Sequence, residues 1–145
     1  MRQEHHVGYE IKALSNLLRR KVMESTTGSP EGDDFTEMQA KILRFLSHNR
    51  DQEICQKDIE EAFYIRRSTA SRLLKRLETE GFIVRRSVPR DARLKQVTTT
   101  PKADALLQGI TERISSVEQT LTRGVSQQEL EQFLATVEKL KQNLM

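Results

Sequence analysis

Apolar positions recur at helical spacing in six stretches of this chain and switch to a strand-like pattern in one. Residues 9–24 place Ile11, Leu14, Leu17, Leu18 and Val22 on one helical face. The following TTGSPEGDD segment, 26–34, holds Gly, Ser and Pro and reads as a loop. A second helix is expected from Thr36, whose hydroxyl can cap it while Gln39 reaches back; its inner face is Met38, Ile42, Phe45 and Leu46. Cys55 then stands at an N-cap, with Ile54 and Ile59 as a hydrophobic staple and Asp58 in the first turn, and this short helix runs to about Ala62. A turn over 64–66 leads into a helix from Arg67 to Glu80, which Gly81 ends as a left-handed C′ residue.

The period then changes. Residues 82–88 are strand-like, 89–92 form a turn, and 93–99 are strand-like again. Thr100 and Pro101 open a long helix with Ala103, Leu106, Leu107, Ile110, Ile114, Val117 and Leu121 on its apolar side, closed by Gly124. Ser126 with Glu129 forms a capping box, Val125 with Leu130 a staple, and the last helix carries Leu130, Phe133, Leu134, Val137, Leu140 and Leu144. Two short helices joined by a tight turn and followed at once by a hairpin predict a winged helix-turn-helix. The expected fold is mainly α: one domain over 1–145, with the winged helix and its two-stranded wing at about 36–99. The helices at about 9–25 and 101–144 form a dimerisation region.

Charge sharpens this picture. From Arg66 to Lys95 there are ten Lys/Arg against three acids, a net +7 in a chain whose total is +3, so the remainder carries −4. A basic block in an otherwise slightly acidic chain points to a polyanion-binding face. On a wheel of ~100° per residue, Ala70, Leu73, Leu74 and Leu77 form the core stripe of the helix from Arg67. Ser68, Arg72, Lys75 and Thr79 lie opposite, with Thr69, Ser71 and Arg76 on the flanks. Small hydroxyl residues allow close approach to a groove, and Arg can offer a bidentate fork to guanine. Ser68, Thr69, Ser71, Arg72 and Lys75 are therefore the candidates for base reading, while Arg66, Arg67, Arg85 and Arg86 suit the phosphate backbone. Arg76, Arg90 and Lys95 complete the basic set. At the hairpin tip, Arg93 suits a minor groove, with Asp91 holding its guanidinium in place.

Four segments, Cys55-Gln-Lys-Asp-Ile-Glu, Ile65-Arg-Arg-Ser-Thr-Ala-Ser, Leu77-Glu-Thr-Glu-Gly-Phe-Ile and Asp91-Ala-Arg-Leu-Lys followed by Thr99-Thr-Pro-Lys, together resemble the MarR family of bacterial winged-helix repressors. The resemblance runs from Tyr9 to Leu144 and implies a homodimer with intertwined terminal helices on a pseudo-palindromic site of double-stranded DNA. It also implies a recognition helix in the major groove and a wing in the neighbouring minor groove. Relatives respond to small aromatic or phenolic effectors, although no polar cluster here marks a pocket. Cys55 for the family's frequent Ser or Thr, Arg66 for a small N-cap and Glu60 for Ala depart from the pattern.

Independently of any family, a winged helix needs only ~70 residues for its own core. The outer apolar stripes require cover, and a two-fold partner through Ile11, Leu14, Leu18, Leu130, Phe133, Leu134, Val137, Leu140 and Leu144 supplies it.

Other chemistry is thin. Cys55 as an oxidant sensor, its thiol lowered by a helix N-terminus and Lys57, competes with Cys55 as a plain N-cap. His5, His6 and His48 lack metal-ligand spacing, and no histidine is placed to activate Ser68 or Ser71, so neither metal, cofactor nor catalysis is expected. No apolar run is long enough for a membrane span, and MRQEHHVGYE has no apolar signal core. A single cysteine fits a reducing cytoplasm. Two other classes stay open: an architectural protein that binds nucleic acid without sequence preference, and a winged helix used for protein contacts.

Overall fold

The computed structural model of the protein describes residues 5–24 and 34–145, the side chains of 34–36 excepted. Its elements are α1 (Val7–Glu24), α2 (Asp34–His48), α3 (Gln56–Phe63), α4 (Arg67–Thr79), β1 (Ile83–Val88), β2 (Asp91–Thr99), α5 (Pro101–Leu121) and α6 (Gln127–Leu144). The mainly helical winged-helix class expected from the sequence is the observed one. α2 begins two residues before the expected Thr36, and the loop and Thr36 cap lie outside the described residues apart from the backbone of 34–36. Gln39 is buried, and its amide donates to the Glu80 carboxylate at 3.0 Å.

The chain forms two compact units. One spans Met23–Arg113; the other joins Met1–Val22 to Ile114–Met145.

In the first unit, Ile42, Leu43 and Leu46 of α2 pack in one cluster with Ile59 of α3 and Leu73, Leu74 and Leu77 of α4. Ile83, Val97, Ala103 and Leu107 complete it. Met38 and Phe45 only border this cluster, and Phe45 meets Phe63 edge-on with centroids 5.6 Å apart. Leu43, fully buried, was not part of the face read from spacing. Next to Ile42 it widens the stripe, as a helix covered on more than one side requires.

Between α3 and α4, Tyr64 turns the chain in the left-handed region, φ 53° and ψ 42°. α4 ends in a Schellman closure: Phe82 N–H donates to Leu77 O at 2.9 Å and Gly81 N–H to Glu78 O at 3.1 Å, with Gly81 at φ +81°. The start of α5 reinforces that end. Thr100 Oγ1 donates to Gly81 O at 2.7 Å, and Lys102 Nζ donates to Glu80 O at 2.6 Å while lying 4.6 Å from the Phe82 ring centre. A cation over terminal carbonyls suits the negative end of the helix dipole.

β1 and β2 pair antiparallel from Ile83↔Thr99 to Ser87↔Lys95, and then Val88 pairs with Asp91. The step leaves 92–94 looped out of β2, so the turn is shorter than the 89–92 read from sequence, and Asp91 and Ala92 belong to the strand. Residues 54 and 55 add to the far edge: Val97 N–H donates to Ile54 O at 2.8 Å, and Cys55 bridges Gln96.

In the second unit, neither α1 nor α6 contains a buried residue. Ile11, Leu14, Phe133, Leu134 and Leu144 are exposed, and Leu18, Leu130, Val137 and Leu140 are half-buried. The expected capping box is present: Glu129 N–H donates to Ser126 Oγ at 3.1 Å, and Ser126 N–H to the Glu129 carboxylate at 2.7 Å.

Candidate nucleic-acid interface

α4 presents two chemically opposite faces. Ala70, Leu73, Leu74 and Leu77 are buried, while Ser68, Ser71, Arg72, Lys75, Arg76 and Thr79 are exposed and Thr69 is half-buried. Arg66 caps the helix in extended geometry without a side-chain hydrogen bond, and the first turn holds no acid. Arg66 and Arg67 thus open a helix whose first turn carries no acid, a composition that favours an anionic group there. Gln56 Nε2, donating to Arg67 O at 3.4 Å, ties this end of α4 to α3.

The basic residues divide into two sets. Arg66, Arg67, Arg72, Lys75, Arg86 and Lys95 are exposed and have no ion pair among the described residues. Four others are held by carboxylates of the same chain. Arg76 Nε lies 3.0 Å from Glu80, Arg85 forks onto Glu78 at 3.1 Å, and Arg90 lies 2.5 Å from Glu53. Arg93 donates through Nε and Nη2 to Asp91 at 3.3 and 3.4 Å, and Arg93 N–H also donates to Asp91 at 3.0 Å. These bonds hold the Asp91 carboxyl below its ordinary range, and the Arg93 side chain remains 91% exposed.

Two of these residues have partners that spacing did not indicate. Arg85, grouped with the phosphate ligands, is only 22% exposed and serves as a strut between β1 and α4. Its hydrogen bond is the largest influence holding the Glu78 carboxyl below its ordinary value. Arg90 is turned toward Glu53. Neither acid could be found by spacing, because Glu53 is 37 residues from its partner and Glu78 lies on a different element. The expected lowering of the Cys55 thiol is reversed: burial, then the Asp58 and Glu53 carboxylates, push it up, and Arg90 offsets this only in part. Asp58, which accepts from Cys55 N–H at 2.8 Å, supplies the cap and also the negative charge.

A family model described as the MarR family matches residues 33–94, which span α2, the helix-turn-helix and most of the wing. Over these residues the chain is similar to the MarR family. The transcription regulator MarR from Oenococcus oeni PSU-1 is similar at 27% identity, over 94% of this chain and 99% of that one, with a TM-score of 0.77. MepR of S. aureus in its DNA complex is similar at 26% identity, over 98% and 100%, with a TM-score of 0.83. MepR of S. aureus in its DNA-binding conformation gives 25% identity, 97% and 100% coverage and a TM-score of 0.84. MarR-family proteins are transcription regulators rather than enzymes, and among the described residues no helix is long and apolar enough to cross a membrane.

An open groove of about 710 Å³ is lined by Ser47 and Arg50 together with Asp104, Leu107, Gln108, Thr111 and Glu112 of α5. The ion pair of Arg50 with Asp104 crosses it.

Proposed function

We propose that this MarR-family protein is a sequence-specific, double-stranded DNA-binding transcription regulator, a homodimeric repressor on a pseudo-palindromic operator. The observation that carries the reading is the exposed face of α4, where Ser68, Ser71, Arg72 and Lys75 stand without carboxylate partners among the described residues. Hydroxyls and one Arg on such a face suit base edges in a major groove. Arg66, Arg67, Arg86 and Lys95 neutralise phosphates. Arg93, oriented by Asp91, enters the minor groove beside it. The complex of S. aureus MepR with DNA supports the same use of the same fold.

The exposed apolar residues of α1 and α6 support two copies. They would set two reading heads about one DNA turn (~34 Å) apart. Release by a small aromatic or phenolic effector rests on the family resemblance and on the groove at Leu107. Its two carboxylates against one guanidinium suit a neutral phenol better than an aromatic acid.

Selection of bound duplexes from a random pool, followed by a footprint of the winner, tests this reading. A symmetric protected site is expected. Equal affinity for selected and random duplex, with steep salt dependence on both, would replace it with architectural binding. Absence of DNA affinity would replace it with protein contact.

A further inference from the structure

The wing tip is fastened from outside the wing. Glu53, just before the edge residues Ile54 and Cys55, closes onto Arg90 at the turn between β1 and β2, with Oε1 to Nη2 at 2.5 Å. The segment that carries Glu53 is itself fixed to β2 by the Val97 to Ile54 bond and the Cys55–Gln96 bridge. A two-stranded hairpin alone is marginally stable, and this one is interrupted where residues 92–94 leave the register. Arg93 lies within that interruption. Its guanidinium is bound to Asp91, so the direction of the fork is fixed locally, while the place of the Asp91–Arg93 unit follows the tip residue Arg90 beside it.

We propose that Glu53 is a positioning residue for DNA reading. Through Arg90 it holds the wing tip so that Arg93 meets the minor groove next to the major groove read by α4. The inference rests on the DNA-reading function proposed above. It explains why a carboxylate stands close to a face built for a polyanion, where repulsion alone would weaken binding. It also assigns the charge of Arg90 to the protein rather than to phosphate.

The test uses the full chain and the duplex it selects from a random pool. Minor-groove contact is read by hydroxyl-radical footprinting and major-groove contact by protection of guanine N7 from methylation. Glu53→Gln should lose the wing footprint while N7 protection, dimer mass and melting temperature hold. Affinity should fall about twofold to fivefold, the range of one exposed ion pair. Arg90→Gln should do the same, the double variant should be no worse than either single one, and the exchanged pair Glu53→Arg with Arg90→Glu should regain the wing footprint. Tighter binding or an unchanged footprint in Glu53→Gln would overturn the proposal, leaving Glu53 a nearby acid. An effect in Arg90→Gln alone would overturn it too, and make Arg90 a direct phosphate ligand. If the wild type protects no site, the DNA-reading function fails first and the clasp loses its role with it.

Discussion

Arg85 of β1 reaches across to Glu78 near the end of α4, and its Nε and Nη2 each lie 3.1 Å from a carboxylate oxygen. The fork ties the wing's first strand to the helix assigned to base reading, so one carboxylate influences both stability and the angle between two reading elements. Glu78→Gln should lower stability at neutral pH, and solvent screening at its 42% exposed side chain keeps the loss below about 1 kcal/mol. Because the folded-state value lies below the ordinary one, the contribution is present above the unfolded carboxylate value. It disappears as pH falls through the folded one. Urea titrations of both proteins near neutrality and in acid should show a gap that closes in acid.

Gly81 and Gly109 should respond to alanine in opposite directions. Gly81 closes α4 at φ +81°, where a Cβ is strained although it would meet Lys102 Cδ only at an ordinary contact distance of 3.9 Å, so Gly81→Ala should cost about 1 to 2 kcal/mol. Gly109 sits within α5 with nothing within 4 Å of an added Cβ. Gly109→Ala should stabilise by about 0.5 to 1 kcal/mol from helix propensity. Chemical denaturation of the two variants checks both signs.

Cys55 should be a sluggish nucleophile. Its thiol is pushed above the ordinary value of 9.0, so little thiolate exists near neutral pH. Alkylation should run slower than for a free cysteine, and peroxide should leave DNA affinity unchanged. Rapid modification accompanied by loss of binding would restore the sensor reading.

Arg72 and Lys95 should separate base reading from backbone contact. Arg72→Ala is expected to cost ~1–3 kcal/mol on the selected operator and to relax preference at one base position in each half-site. Lys95→Ala should weaken binding evenly across sequences and reduce the salt slope by about one. Fluorescence anisotropy over a salt series with single-base operator variants distinguishes the two patterns.

Leu134, 63% exposed on α6, and Ile11, 55% exposed on α1, are expected to lie in the dimer contact. Glu substituted at Leu134 would put a charge into a desolvated interface and should shift sedimentation toward the monomer. The isolated winged helix should remain folded, because its core cluster contains neither residue.

The order of elements was legible in the sequence because each rests on local physics. The core stripe of α4, its stop at Gly81 and the box of Ser126 with Glu129 depend on residues within a few positions of one another, and all three stand in the structure. The orientation of Arg93 by Asp91 is equally local. Tertiary structure decided the partners of groups distant along the chain. Gln39 was bonded to Glu80, Leu43 joined the core, and Arg85 and Arg90 were paired with Glu78 and Glu53. Periodicity states which face of an element is polar. It does not state which opposite charge folding brings against that face, because that depends on how separate elements pack.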